Sequence, residues 1–349
     1  MINVNEYTLE ELEEYIEMLG EKKFHAKQIF KWLHKEKVET FDEMTDISKS
    51  LRDKLKEQTY ILKLSIISVQ KSKKDGTVKF LIKLEDDTAI ESVFMKYNYG
   101  NSMCVSSQVG CKMGCKFCAS TKEGYERNLL ASEIEGQVIA VEKYTGERIS
   151  NVVYMGIGEP LDNYDNVVKS IRLINYPLGL NIGARHISLS TCGIVPAIYK
   201  LADENIQSTL SISLHSTKDS ERKKIMPIAT KYSINELLEA CRYYIKTTGR
   251  RISFEYALIN GVNDTKEDAL DLVKLLRGMI AHVNLIPVNT ITNALYTKSK
   301  EKNIEIFMNT LNSSGIVATV RRELGSDIDA ACGQLRQKHL EKNKEEDLI

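Results

Sequence analysis

The chain has 349 residues, of which 42% are apolar and 28% charged, and its 48 basic side chains balance its 48 acidic ones. This composition is typical of a folded globular protein and excludes collagen-like, low-complexity and largely disordered chains. No apolar run comes near the roughly 20 residues that a membrane-spanning helix needs, and the acidic N-terminus lacks an apolar signal-peptide segment. We therefore expect a cytoplasmic protein with no membrane partner, whose seven cysteines serve metal or catalytic chemistry rather than structural disulfides.

Short amphipathic helices open the chain and predict a small helical accessory domain over residues 1–60. In "KKFHAKQIFKWLHKEK" four lysines recur at every fourth residue, with apolar residues between them that would face a core: Lys23, Lys27, Lys31 and Lys35. A lysine face is ordinary for a solvated helix, and it also suits a nucleic-acid partner. Both interpretations stay open at this point.

The pattern then changes to alternation. "VKFLIKL" and "AIESVFMKY" predict two strands within a β linker at residues 61–96, followed by the main domain over residues 97–335 and a polar tail at 336–349. In the main domain about six predicted strands alternate with helices, which indicates a parallel α/β fold. This spacing fits either a doubly wound sheet or an incomplete (β/α) barrel.

Polar residues follow several of these strands at the point where each strand ends. They include Gly158-Glu159 after "NVVYM", Ser190 in "HISLST", His215 after "TLSISL" and Asn289 after "VNLIPV". In parallel α/β folds the carboxyl ends of the strands carry the active site. Because several strands would bring polar groups to one mouth, the pattern favours the barrel.

Three cysteines lie within eight residues of "VGCKMGCKFCAST": Cys111, Cys115 and Cys118. Cys104 could complete a four-cysteine zinc site, which would make the chain a zinc-stabilised, non-catalytic RNA-binding protein. A [4Fe–4S] cluster held by three thiolates would instead leave one iron open to a ligand. The C-x3-C-x2-C spacing, with Phe117 in its last gap, resembles the radical S-adenosylmethionine (SAM) signature, which implies that SAM chelates the open iron.

The segment "MGIGEP" follows a strand but does not fit a dinucleotide-binding loop. Gly156 and Gly158 lack the third glycine of that fingerprint, and Pro160 interrupts its register. The radical SAM resemblance implies that Gly158 and Glu159 contact the amino group of SAM, a sensible pairing of carboxylate and ammonium.

A wider resemblance follows from "CVSSQVGCKMGCKFCAST", "NVVYMGIGEPLDN", "IGARHISLST", "SISLHS", "HVNLIPVN" and "RRELGSDIDAACGQLR". In this order they resemble the bacterial dual-specificity adenine-C2 RNA methyltransferases over nearly the whole chain. The resemblance implies a partial (β/α)6 radical-SAM barrel with an N-terminal RNA-binding domain, a [4Fe–4S] cluster and SAM. It also implies two substrates, 23S rRNA (free, before full ribosome assembly) and the adenosine 3′ to the anticodon in tRNA, with a flavodoxin-type electron donor and a monomeric enzyme.

The resemblance also implies a chemical scheme for an unreactive carbon. Carbon 2 of adenine and the SAM methyl group are both electron-poor, so neither can act as the nucleophile in a direct polar methyl transfer. In the family's scheme one SAM methylates Cys332, and a second SAM is cleaved to a radical that takes hydrogen from that methyl group. The carbon then joins carbon 2, Glu91 removes the proton, and Cys104 attacks the sulfur of Cys332. The resulting disulfide releases the product and is reduced by external thiols.

The remaining site residues come from the same resemblance and from strand pattern. SAM contacts are implied for Gly158, Glu159, Ser190, Ser213, Leu214, His215 and Asn289. Alternation puts Glu91 on the strand face of Val93 and Met95, which suits a base, although a water-facing charge on an edge strand is the alternative. Cys241 has the spacing of a core residue and Cys192 is expected to be structural.

A sister group that methylates adenine at carbon 8 is the nearest alternative. It would share the cluster and both working cysteines. Those relatives carry Ala where this chain has Pro160, so the sequence favours carbon 2.

Overall fold

A computed structural model describes residues 1–122, 124–287, 297–330 and 334. Among them the strands are β1 (Ile2–Asn3), β2 (Thr59–Tyr60), β3 (Ser65–Lys71), β4 (Val78–Lys83), β5 (Ala89–Tyr97), β6 (Gly100–Cys104), β7 (Gln108–Gly110), β8 (Tyr125–Asn128), β9 (Asn151–Tyr154), β10 (Ile187–Thr191), β11 (Thr209–Ser213), β12 (Ile252–Leu258), β13 (Ala281–Pro287) and β14 (Val317–Val320). The helices are α1 (Leu9–Met18), α2 (Phe24–Lys31), α3 (Lys49–Gln58), α4 (Ala131–Thr145), α5 (Tyr164–Asn175), α6 (Val195–Asp203), α7 (Asp219–Ile225), α8 (Ile234–Thr248), α9 (Lys266–Leu276) and α10 (Glu301–Ser313). Within this part of the chain, no helix is both long enough and apolar enough to cross a membrane.

One ten-stranded sheet organises the molecule, in the order β14-β13-β12-β11-β10-β9-β6-β5-β4-β3. Strands β6 and β9 to β14 are parallel neighbours. Their spatial order follows their chain order without a reversal, whereas a doubly wound sheet reverses at a switch point. The strand order therefore confirms the predicted α/β fold and agrees with the barrel that the polar strand ends favour and the resemblance implies.

Three antiparallel strands, β3 to β5, extend the same sheet beyond β6. The sequence predicts β4 and β5, but it does not predict β3, whose side chains alternate between exposed and half-buried at the sheet edge. The two faces of β5 differ in their surroundings. Ile90 and Phe94 pack into the main core, while Val93 and Met95 face a smaller cluster with Cys104.

Helices α1 to α3 build a second apolar core near the N-terminus. In α1 the hydroxyl of Thr8 caps the helix, and the Glu11 carboxylate accepts from the Thr8 backbone, which closes a capping box. In α2 and the π-helical turn that follows it, the predicted apolar positions are buried and the predicted lysines are exposed. Lys23 and Lys31 pair with exposed carboxylates of Glu17 and Glu36.

A buried polar pair joins the N-terminal helices to the main sheet's helices. His34 Nδ1 lies 2.8 Å from Glu135 Oε2 in α4, and both side chains are almost fully buried. Burial removes water from both side chains, and the bond between them compensates for that lost hydration. The pair therefore fixes how the helical core sits on α4.

We expect Glu135→Ala to lower the free energy of unfolding by about 3 kcal/mol, because it leaves the His34 ring unpaired in the interior. Urea unfolding followed by circular dichroism measures this change. The control is Glu17→Ala, which removes an exposed partner of Lys23 and should cost below about 1 kcal/mol. Equal small losses in both variants would show that the buried pair does not hold the two parts together.

Candidate active site

A cleft opens where the parallel strands end, as the sequence predicts. The volume of the cleft, including the part open to solvent, is about 1020 Å³. Eight of the predicted site residues line it: Cys111, Cys115, Cys118, Gly158, Glu159, Ser190, Ser213 and His215. They come from the ends of β9, β10 and β11 and from the loop after β7, so parallel strands converge on one mouth.

The cysteine loop is fixed by its backbone. The N–H of Cys111 donates to the carbonyl of Gly124 at 2.9 Å, and the N–H of Lys116 donates to the carbonyl of Ile225 at 2.9 Å. Thr121 Oγ1 donates to the carbonyl of Cys118 at 3.0 Å. These bonds are made by main-chain groups and the Thr121 hydroxyl, and they hold the three cysteines at the cleft wall.

Burial alone makes these thiols hard to ionise. It raises the pKa of Cys111 to about 12, and it raises the pKa of Cys115 further. The neighbouring thiols add to the effect because thiolates close together repel one another. A metal must therefore displace protons from these sulfurs, and its positive charge offsets the cost of the buried thiolates.

Gly156 and Gly158 allow two loops to touch at backbone distance. A Cβ at Gly156 would lie 2.7 Å from the carbonyl oxygen of Val105, and one at Gly158 would lie 2.7 Å from the Cβ of Gln108. Gly158 also has φ of +109°, which other residues rarely adopt. The glycine pair of "MGIGEP" thus brings the end of β9 against the segment that leads into the cysteine loop.

Glu159 connects the ends of two strands from inside the cleft. Its carboxylate accepts from the N–H of Cys192 at 2.7 Å and from the N–H of Leu161 at 3.0 Å. Its own N–H donates to Gln108 Oε1 at 2.9 Å. Burial raises the pKa of this carboxyl, while the two N–H donors favour its charged form. A cationic group in the cleft would complete the stabilisation of that charge.

His215 presents one defined ring nitrogen to the cleft. The N–H of Ala257 donates to His215 Nδ1 at 2.9 Å, so Nδ1 is the acceptor and Nε2 carries the hydrogen. Burial lowers the pKa of His215 to about 3, and the nearby Arg222 guanidinium lowers it as well. The ring therefore stays neutral at ordinary pH and offers a single N–H donor. The Phe117 ring packs edge-on against the imidazole, with 4.8 Å between the two ring centroids.

Glu91 lies on β5 and Cys104 on β6, and Met155 both lines the cleft and packs in the cluster that contains Cys104. Glu91 is 1% exposed, so the predicted burial is correct and the water-facing alternative is wrong. Cys104 packs with Val93 and Ile157 and with Ala330 of the C-terminal segment, away from the three-cysteine loop. Over the described residues, no three His, Cys, Asp or Glu side chains converge on a single metal ion. Cys104 lies in a different apolar cluster from Cys115, which does not favour the four-cysteine zinc site.

Three other predicted residues behave differently. Asn289 and Cys332 lie outside the described residues. The Leu214 side chain lies in the main core, and its carbonyl accepts from Arg222 Nε, so the side chain does not line the cleft. Cys241 is buried in the main core as expected, whereas Cys192 lines the cleft wall.

Sequence reasoning missed three charged residues at this site. Glu255 of β12 is buried in the cleft, where Asn284 donates to it at 2.8 Å, and Arg321 also lines the cleft. Arg222 is fully buried behind the wall, where it donates to the carbonyls of Cys192 and Ser213. The single carboxylate inside the apolar run "ISFEYAL" was a usable signal for Glu255. Arg222 sits in the charge run "DSERKKI", which reads as a solvated helix end.

The neutral His215 ring makes a prediction about stability and pH. Its pKa is about 3 in the folded chain and about 6.5 when unfolded. The histidine therefore favours unfolding as pH falls below 6.5, because the unfolded chain then binds the extra proton. The loss amounts to about 2 kcal/mol between pH 7 and pH 5. His215→Asn, a residue that tolerates the positive φ of this position, should remove that part of the decline.

Urea midpoints of the metal-free protein at pH 7 and pH 5 measure this effect. His25→Asn, which changes a histidine on the N-terminal helices, is the matched control and should retain the full decline. If His215→Asn loses as much stability on acidification as the parent does, the buried neutral ring is not the cause.

Two family models match the chain. One describes the ribosomal RNA large subunit methyltransferase N-terminal domain and matches residues 2–61. The other describes the radical SAM superfamily and matches residues 105–276, which contain the cysteine loop and most of the parallel strands.

Whole-chain relatives agree with the two models. The chain is 58% identical over 340 residues to a probable dual-specificity RNA methyltransferase RlmN of Clostridium perfringens, covering 97% of this chain and 98% of the relative. The corresponding protein of Clostridium novyi is 56% identical, covering 98% and 100%. The crystal structure of a radical SAM methyltransferase from Sphaerobacter thermophilus superposes with a TM-score of 0.91 at 41% identity, covering 96% of this chain and 99% of that one. The chain is therefore an enzyme of the radical SAM superfamily and belongs to the RlmN family of dual-specificity RNA methyltransferases.

Proposed function

We propose that this enzyme methylates carbon 2 of a specific adenosine in 23S rRNA and of the adenosine 3′ to the anticodon in tRNA. The observation that carries the proposal is the convergence of three thiols with polar strand ends on one cleft, which shares Met155 with the cluster that contains Cys104. Glu91 is buried on the same face of the sheet as Cys104. The RlmN name of the relatives supports RNA as the substrate. The residue roles below are our proposals.

The cleft fits the cofactors of the superfamily, a [4Fe–4S] cluster and SAM. We propose that Cys111, Cys115 and Cys118 hold the cluster, since the donor set of three thiols leaves one iron open. We propose Gly158, Glu159, Ser190, Ser213, His215 and Asn289 as the SAM contacts, with Leu214 limited to its backbone. When bound, the pair supplies one-electron chemistry that can activate an unreactive carbon–hydrogen bond.

In this proposal the protein's own groups do the remaining chemistry. Glu91 accepts the proton from carbon 2, and its burial keeps water from competing for that position. Cys332 carries the methyl carbon, and Cys104 resolves it through a disulfide. Ala330 packs in the same cluster as Cys104, and Cys332 follows Ala330 by two residues along the chain. This closeness in sequence supports the proposed pairing of Cys332 with Cys104.

The finer partners and boundaries belong to the same proposal. We expect the rRNA substrate to be free rather than in the assembled ribosome, the electron donor to be flavodoxin-like and the enzyme to be a monomer. We place the reaction in the cytoplasm, where thiols stay reduced. We propose the lysine face of α2 as the RNA contact. The proposed domain boundaries are residues 1–60 for the helical domain, 61–96 for the linker, 97–335 for the barrel and 336–349 for the tail.

Removing one cluster ligand should remove the metal. Cys115→Ala should drop the iron content of anaerobically purified protein from about four atoms per chain to a small residue, with loss of the brown colour. Cys241→Ala is the matched control, since its thiol lies in the main core, and it should keep its iron. A Cys115→Ala protein that retains full iron and sulfide would rule out this ligand set.

Peptide mass spectrometry of Cys332 tests the proposed reaction itself. We expect an S-methyl group on Cys332 after expression with a loaded cluster, 2-methyladenosine in the RNA product, and neither in Cys332→Ala. An unmodified Cys332 thiol in active protein would contradict the scheme. Formation of 8-methyladenosine instead would assign the enzyme to carbon 8.

A further inference from the structure

A lysine is buried beside Glu91. Lys79 of β4 is only 4% exposed, and its Nζ lies 3.3 Å from Glu91 Oε1. The same Nζ donates to the backbone carbonyl of Asp329 at 3.4 Å. Lysine is almost never fully buried unless its charge is paired. Its position between a carboxylate and the C-terminal segment therefore needs a reason.

The strand register explains how the two charges meet. Lys79 lies opposite Val93, and Leu81 lies opposite Glu91. Lys79 and Glu91 are thus diagonal neighbours on one face of the sheet, within reach of a long side chain. That face carries the cluster that contains Cys104 and Ala330. The other face of these strands packs into the main core.

The C-terminal segment is tied to the turn between β3 and β4, on the same hairpin as Lys79. The Asp327 carboxylate accepts from Ser72 Oγ at 2.7 Å and from the N–H of Lys73 at 2.9 Å. The N–H of Gly325 donates to the Asp75 carboxylate at 2.8 Å. One rigid hairpin therefore fixes both the lysine and residues 325–330, which lead directly to Cys332.

We propose that Lys79 is a positioning residue for the proton transfer, which it serves by holding Glu91 as an oriented carboxylate against the segment that carries Cys332. This inference rests on the proposed function, in which Glu91 takes the carbon-2 proton. The ammonium lies 3.3 Å from a carboxylate that is only 1% exposed, and a positive charge so close to a buried carboxylate favours its ionised, oriented form. When Lys79 is replaced, the segment keeps its own bonds to the hairpin through Asp327 and Gly325, so the loss should fall on the step that needs the base.

A single-turnover assay on the iron-loaded enzyme with an unmodified tRNA transcript separates that step from the earlier ones. It follows 5′-deoxyadenosine, formed before the base is needed, and 2-methyladenosine, formed after it. In Lys79→Met we expect 5′-deoxyadenosine within about twofold of the parent and 2-methyladenosine reduced about tenfold or more. Lys79→Arg should recover part of the loss. Lys83→Met, on the same strand face but half-exposed and paired with exposed Asp87, should match the parent in both products.

A double variant shows whether Lys79 acts through Glu91. Lys79→Met/Glu91→Gln should be no slower than Glu91→Gln alone, because the lysine has nothing left to position. Should Lys79→Met by itself not retain its iron, this double variant, which holds no unpaired charge, decides the matter against Glu91→Gln.

Parent-like 2-methyladenosine formation in Lys79→Met would overturn the inference. An equal loss of both products in iron-loaded protein would also overturn it, as would defects that multiply in the double variant. If the parent enzyme makes no 2-methyladenosine, or if Glu91→Gln forms it at the parent rate, the proposed function fails instead, and the two failures are distinct.

Discussion

The site depends on one close approach between two loops at the carboxyl ends of β6 and β9. The N–H groups of Ser107 and Gln108 both bond the carbonyl of Ile157. This contact is possible only because Gly156 and Gly158 have no side chain at the meeting point. The first loop continues into the cysteine triplet and the second into Glu159. A single backbone contact therefore sets the distance between the thiols and the carboxylate of the same cleft.

The continuity of the sheet brings a second set of groups to the rim of the cleft. Antiparallel strands β4 and β5 extend the sheet beyond β6, and Glu91 of β5 lies on the same face as Cys104 of β6. Residues 324–330 cover that face. Met155 packs against this cluster and also lines the cleft, so the two regions share a wall. The proposed reaction uses both regions, and in that proposal Cys332 carries the methyl carbon between them.

Much of this architecture can be predicted from the sequence, because the signals are local. The structure contains the predicted alternation of strands and helices, and the three cysteines and the polar strand ends line one cleft. Periodicity alone leaves the barrel and the doubly wound sheet open, since strand order is a tertiary property, and only the polar strand ends favour the barrel. Sequence reasoning also misses Arg222, because nothing in a charged helical run indicates that one of its side chains will be buried against the ends of β10 and β11. Lys79 is missed for a similar reason: alternation in "VKFLIK" reads as a water-facing lysine until residues 324–330 cover that face.

The most direct test of the central claim follows the hydrogen atoms of the methyl group. The anaerobic, iron-loaded enzyme is given SAM with a trideuterated methyl group, a strong reductant and unmodified RNA. Transfer through a methylated cysteine should give 5′-deoxyadenosine with one deuterium and 2-methyladenosine whose new methyl group keeps two. A methyl group transferred with all three deuterium atoms, and 5′-deoxyadenosine with none, would contradict transfer through a methylated cysteine.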